Sequence, residues 1–211
     1  MCYPFGRTVG IAVDRRLFLA ALPALGLSAC VKKDEVVATT GLAKALIEAA
    51  HRQTESFVLY DSKYTKIGYP NGDVPLSRGV CADVVIRAYR AIGIDLQALV
   101  HEDMAAHFDL YPKRWGLKGP DPNIDHRRVP NLMVFFSRFG KVLPMSQDPK
   151  AYQPGDLITN RPGGGTHIAV VSDVISPISG RLMVIQNCGF STRQDDDLLR
   201  YPLLGHYRYR V

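Results

Sequence analysis

The chain carries a formal charge of +6 but no lysine or arginine run with interleaved aromatics, which excludes nucleic acid as an expected partner. Its most apolar run, Leu17 to Leu27, is too short for a stable membrane span and is broken by Pro23. His101, Glu102, Asp103 and His107 lack the one-turn histidine spacing of a helical zinc site, so their reading is surface charge and no metal is expected. No cofactor motif, internal repeat or low-complexity segment occurs. Cysteine is scarce, with four residues in all, so each needs its own assignment. With 46% hydrophobic and 22% charged residues over 211 positions, what remains is one globular domain behind a short leader.

That leader has the zones of an export signal in order: Arg15-Arg16, the apolar run, then Leu27-Ser28-Ala29-Cys30. The last four residues resemble the bacterial lipobox, in which the cysteine is lipidated and begins the mature protein. Asp14 to Leu19 also resembles the twin-arginine export motif. The expected layout is therefore an export signal at 1–29, a tether at 30–38 beginning at lipidated Cys30, and a domain at 39–211. Localisation follows as exported, in the cell envelope or periplasm, held to the membrane by an N-terminal lipid. Loss of residues 1–29 removes three arginines and one aspartate, leaving +4, which suits an anionic envelope. Cys2 goes with the leader, and Cys81 and Cys188 remain in an oxidising compartment where they could pair.

Within the domain, Thr39 or Thr40 precedes a helix with Leu42, Leu46, Ile47 and Ala50 at helical spacing. From Phe57 to Arg78 the chain is rich in Tyr, Gly, Pro and Asp, an ordered loop whose aromatics, Tyr64 among them, form a cleft rim. Next comes a helix with Cys81, Val84, Val85, Ala88 and Ile92 on one stripe, ending at Gly93. Asp95 caps a third helix running to Phe108, and Pro130 starts a fourth ending at Gly140, with a polar loop from Tyr111 to Val129 between them. After Pro154-Gly155-Asp156 the period becomes two, with strands at Leu157–Thr159, His167–Val171, Leu182–Gln186 and His206–Arg210. Helices followed by a strand meander predict an α+β fold.

The chemistry centres on Cys81. A thiol at a helix N-terminus is stabilised as thiolate by unsatisfied N–H groups, lowering a reference pKa of about 8.5. Its own backbone N–H could donate to an oxyanion, and Gly79 leaves room for a substrate carbonyl. The bland alternative is a small buried residue on a helix stripe. His167, after Gly163-Gly164-Gly165-Thr166, is placed as a solvent-reachable general base and acid. Its second nitrogen needs an orienting partner, and the next strand offers Gln186 and Asn187, of which alternation allows only one. Gln186 is preferred because it lies within the apolar strand. Asp83 is read as favouring the helix dipole. Asp125, His126, Arg127 and Arg128, with Trp115, could bind a substrate carboxylate through bidentate arginine, or could form a solvated loop held by ion pairs.

A cysteine helix, a Pro-Gly-Asp-Leu turn, a histidine strand and a polar residue on the following strand resemble the NlpC-type papain-like cysteine peptidases, at Cys81, Pro154 to Leu157, His167 and Gln186. More narrowly, residues 79–90 (GVCADVVIRAYR), 123–132 (NIDHRRVPNL) and 205–209 (GHYRY) resemble an uncharacterised bacterial domain-of-unknown-function family within that superfamily. The resemblance runs from about Leu42 to Tyr209. It implies a papain-like fold, with a nucleophile helix packed on an antiparallel sheet and extra helices inserted between cysteine and histidine. It also implies amide cleavage in peptidoglycan stem peptides or another envelope amide. The family often has histidine where this chain has Gln186. Two rival readings accompany it: a non-catalytic peptidoglycan- or protein-binding lipoprotein with a Cys81–Cys188 disulfide, and a papain-like acyltransferase.

Overall fold

The computed structural model describes residues 35–211. The export signal expected at residues 1–29 and Cys30 lie outside the described residues. The chain enters through β1 (Glu35–Val36), whose residues pair antiparallel with Ile175 and Val174, and the Val37 N–H donates to the Asp173 carbonyl at 2.7 Å. Residues 35–37, expected as part of a tether, are thus stitched to the sheet.

α1 (Gly41–Arg52) buries Leu46, Ile47, Ala49 and Ala50, while Leu42 stays exposed at the helix start. Thr40 takes the extended N-cap conformation without using its hydroxyl. In the aromatic loop, β2 (Leu59–Tyr60) pairs in parallel with β3 (Arg78–Gly79). α2 (Cys81–Ala91) follows at once. Its Arg87 makes a bidentate pair with Asp73 at 2.9 and 3.1 Å and also donates to the carbonyls of Val74 and Arg78. A guanidinium fork satisfied this way orders a loop that has few regular hydrogen bonds of its own.

α3 (Leu96–Ala106) begins at Asp95, whose carboxylate accepts from the Gln97 N–H at 3.0 Å. A short 3-10 turn over Phe108–Leu110 replaces the helical end expected there. α4 (Val129–Phe139) starts with Pro130 in its first turn and buries Leu132, Phe135 and Phe136. The strands are β4 (Lys141–Val142), β5 (Leu157–Asn160), β6 (His167–Ile175), β7 (Leu182–Asn187), β8 (Thr192–Asp195) and β9 (Leu203–Arg208). They form an antiparallel sheet in the order β4-β9-β5-β6-β7-β8, with β1 added on β6. The α+β architecture expected from the sequence is present: the cysteine helix packs on an antiparallel sheet, and α3 and α4 lie between cysteine and histidine in sequence.

Alternation divides the sheet into two faces. Leu157, Ile168, Val170, Ile185 and Tyr207 pack with α1, α2 and α4 in the larger core cluster. Ile158, Ala169, Val171 and Val184 pack on the opposite side with Tyr152 and Leu198. The larger cluster closes on the C-terminus, where the Tyr89 hydroxyl donates to the Tyr209 carbonyl at 2.9 Å and the Tyr209 ring meets Phe135 and Phe136. Phe136 has no exposed surface, so its truncation to alanine is worth about 3–5 kcal/mol.

Candidate active site

Cys81 is the first residue of α2, and the turn before it is closed by Asp83. The Asp83 carboxylate accepts from the Val80 N–H at 2.6 Å, and the Asp83 N–H donates to the Val80 carbonyl at 3.0 Å. Arg127 donates to the same carboxylate through Nε at 2.8 Å and Nη2 at 2.9 Å, with both side chains almost wholly buried. A bidentate pair of this kind fixes orientation as well as charge. Asp83 therefore does more than favour the helix dipole: it locks the helix start to the 3-10 turn Asp125–Arg127. The arginine fork proposed for a substrate carboxylate is occupied by Asp83. Gly79 is also reassigned, since a Cβ there would meet Asp83 Oδ2 at 3.1 Å and Arg87 Nη1 at 3.3 Å; it makes room for these side chains instead of a substrate.

Cys81 is a free thiol with 3% of its surface exposed. Burial pushes its pKa up to about 11, and the Asp83 charge adds to this, against the opposing pull of the Ile168, Ala82 and Cys81 backbone N–H groups. The lowered thiol pKa expected from the helix N-terminus is not what the fold produces, because desolvation and a nearby carboxylate outweigh the helix-end donors. The resting group is a neutral thiol. Cys81 is free, so the Cys81–Cys188 bridge of the binding-protein reading does not exist.

His167 opens β6 with 4% of its surface exposed, instead of standing open to solvent. The glycine loop explains this: Gly163 and Gly164 have φ of 57° and 89°, and the turn folds back so that His167 pairs with Asn160 inside the sheet. Burial lowers the imidazole pKa, opposed by a hydrogen bond with Gln186 and by the charges of Asp197 and Asp195. His167 Nε2 lies 2.9 Å from Gln186 Oε1, and among the described residues no hydrogen bond is made by Nδ1. Asn187 points elsewhere: its Nδ2 donates to the Val58 carbonyl at 3.4 Å and its Oδ1 accepts from the Gly189 N–H at 3.3 Å. The parity left open by the sequence is resolved, and Asn187 is not the partner of His167.

The backbone at the start of β6 borders the thiol. The Ile168 N–H acts on the Cys81 sulfur, and Thr166 lines the same cleft as Cys81, so both neighbours of His167 in the chain reach the thiol's surroundings. Alternation assigns the imidazole to the sheet face of Ala169 and Val171, away from α2, contrary to the expectation of a ring facing the cysteine helix. No hydrogen bond joins the thiol and the imidazole in the resting structure.

The cleft over Cys81 has a volume of about 360 Å³ and is walled by Tyr60, Tyr64, Trp115, Arg127 and Arg128. Tyr60 is pushed up to about 12 by burial and by the Cys81 and Asp83 charges, so its hydroxyl keeps its proton and can donate. Tyr64 stands at the rim, exposed, and interacts with Asp121. Arg128 covers the Trp115 ring at 4.0 Å and pairs with Asp125 at 3.3 Å. Asp125 and His126, expected as substrate contacts or as a solvated loop, are almost fully buried. Asp125 accepts from the Asp121 N–H, and burial drives His126 down to about 4. Both support the wall from behind. Through Pro130 and Thr166 the cleft continues into an apolar groove of about 650 Å³ floored by Met133, Val134 and Leu204, with Arg114 and Arg161 at its edge.

The sequence reading missed Thr166, Asp195 and Asp197. The last two belong to a visible acidic run, but their direction toward Gln186 depends on β8, which the sequence pattern did not disclose. Among the described residues no cluster of three or more His, Cys, Asp or Glu side chains could hold a metal ion.

Two solved structures from Trichomonas vaginalis share a low-level likeness with this chain. NlpC2 has a TM-score of 0.44 at 14% identity, covering 82% of this chain and 48% of that one. NlpC1 has a TM-score of 0.41 at 14% identity, covering 83% and 46%. The chain thus spans about half the length of either structure. "Uncharacterized protein YijF" of Escherichia coli (strain K12) is 49% identical over 178 residues, 84% of this chain and 85% of that relative. A family model described as "Domain of unknown function (DUF1287)" matches residues 47–209, and the chain belongs to that family.

Proposed function

We propose that this protein is a thiol-dependent amide hydrolase of the bacterial cell envelope, exported and lipid-anchored through Cys30, acting on peptidoglycan stem peptides. The observation that carries the chemistry is the position of the Cys81 sulfur: first residue of a helix, open to a cleft, and facing the Ile168 N–H next to His167. His167 contributes a ring nitrogen with no other partner, and Gln186 holds the opposite nitrogen. The order of cysteine helix, histidine strand and glutamine strand is that of papain-like enzymes, which supports the same reading.

In this reaction the substrate's arrival brings Nδ1 to the thiol. Nδ1 takes the Sγ proton as sulfur bonds to the amide carbon. The oxyanion receives the Cys81 backbone N–H and the Tyr60 hydroxyl. The C–N bond then breaks, His167 returns the proton to the departing amine, and water activated by the same imidazole releases the acid and restores the thiol. Because the thiol rests neutral, the base is needed at the moment of attack. Arg114 and Arg161, lining the groove that adjoins the cleft, suit a substrate carrying carboxylates.

The test is incubation of the mature protein and its Cys81→Ala variant with purified peptidoglycan fragments, followed by mass spectrometry. New termini produced only with the thiol present support the proposal; no cleavage and no acyl transfer overturns it. The apolar groove beside the cleft favours one second reading, acyl transfer, because it could shield a thioester from water. A product with the acyl group on an amine or lipid hydroxyl would favour that reading.

A further inference from the structure

We propose that Asp195 and Asp197 are positioning residues that fix the tautomer of His167 by pinning the Gln186 amide. This deepens the reading of His167 as the base and rests on that reading for its catalytic meaning. A glutamine amide can turn by half a rotation and exchange donor for acceptor at little cost in shape. Here it cannot do so freely. Gln186 Nε2 lies 3.1 Å from Asp195 Oδ2 and 3.0 Å from Asp197 Oδ2. Ionised carboxylates only accept, so both demand the NH2 end of the amide.

That leaves Oε1 facing His167 Nε2 at 2.9 Å. An oxygen there accepts, so Nε2 carries the ring proton and Nδ1 is left with its lone pair. Turned the other way, the amide would present N–H to Nε2, move the proton to Nδ1, and leave no base for the thiol. The two aspartates thus act on the thiol's partner through one neutral intermediary.

Position explains why the contacts form. Gln186 lies opposite Arg193 in the β7–β8 ladder, and Asp195 is the diagonal neighbour two residues on, on the same face. Asp197 reaches the amide from the turn after β8, where it is 7% exposed and paired with Arg200 at 3.0 Å. Asp195 is paired with Arg193 at 3.5 Å. Each carboxylate thus has an arginine partner beside the buried amide. A merely structural acid would need one such contact; two acids converging on one amide nitrogen leave it a single orientation.

The experiment measures the His167 ring nitrogens by two-dimensional 15N–1H NMR at a pH where the ring is neutral, in wild-type protein, in Asp195→Asn, and in Asp195→Asn/Asp197→Asn. The wild-type ring is expected as the Nε2–H form, and the double variant as a mixture or the Nδ1–H form. Amide hydrolysis in the double variant is expected to fall about 10²-fold, the lower end of what a positioned base supplies, with KM little changed. A wild-type ring in the Nδ1–H form overturns the proposal even if no variant folds. So does a folded double variant that keeps the Nε2–H form. If the tautomer responds as expected and no form of the protein cleaves any amide, the relay stands and the hydrolase reading fails.

Discussion

Two imidazoles, His167 and His206, sit buried on the same face of one sheet and are used in opposite ways. Both ring nitrogens of His206 are engaged: Nε2 with Asp156 at 2.8 Å and Nδ1 with the Pro144 carbonyl at 3.1 Å, and the Tyr152 ring stacks on it with centroids 4.4 Å apart. His167 is held at one nitrogen by a neutral amide and keeps the other free. The partner sets the difference. Asp156 is itself gripped by Arg208 at 2.7 and 3.0 Å and by the Gln153 N–H at 2.9 Å, forming a closed charged cluster that joins the Pro-Gly-Asp turn to β9. Engagement of both nitrogens makes His206 a fastener, and a nitrogen without a partner suits the role proposed for His167.

The sharpest way to break this contrast is to remove each ring in turn. His167→Ala should cost about 10²–10⁴-fold in amide hydrolysis while leaving thermal stability close to wild type. His206→Ala should do the reverse, lowering stability by about 3 kcal/mol in denaturant titration because Asp156 loses a buried partner, with the remaining activity per folded molecule intact. If His206→Ala abolishes activity in fully folded protein, or His167→Ala unfolds the chain, the division of labour is wrong.

Acid should distinguish the same two regions. Burial alone would raise the Asp156 carboxyl, but hydrogen bonds from His206, Arg208 and the Gln153 N–H outweigh it and hold the pKa below the usual carboxylate value. Since the folded form binds that proton less readily than the unfolded chain, its stabilisation is complete above about pH 5 and is lost as pH falls through the folded value. Melting curves between pH 7 and pH 2 should show this loss, and Asp156→Asn should be less stable at neutral pH with a shallower acid dependence. An equally steep acid loss in Asp156→Asn would show that another group carries it.

The smallest effect belongs to the stacked ring. Tyr152→Phe removes a hydroxyl that donates to the Ser146 carbonyl at 2.7 Å but keeps the stacking on His206, so the cost should be about 1 kcal/mol. Tyr152→Leu should add about another 1 kcal/mol through loss of the aromatic contact. Neither should alter alkylation of Cys81.

Much of this contrast was legible in the chain and part of it was not. Hydrophobic period gave the cysteine helix, the fourth helix and the histidine strand because their stripes are long and bounded by Gly93, Gly140 and the glycine loop. The specific motifs gave the family, since they span most of the domain. Charge-rich positions were harder to read. Asp83, Asp125, His126 and Arg127 have the composition of a solvated surface, yet they are buried, Asp83 and Arg127 because they pair with each other across 44 positions. No local pattern encodes such pairing. The same reason hid the burial of the thiol, whose raised pKa follows from what packs over the helix start. Short strands β4 and β8 carry too few residues for alternation to be seen, so the acids behind Gln186 went unplaced.

Trp115 is the sole tryptophan of the chain, and it stands in the cleft wall beneath the Arg128 guanidinium. The molecule consequently contains its own optical gauge. Intrinsic indole emission has one source, located where a ligand would enter, so occupancy of the cleft can be followed without a label by the quenching or spectral displacement of that one chromophore.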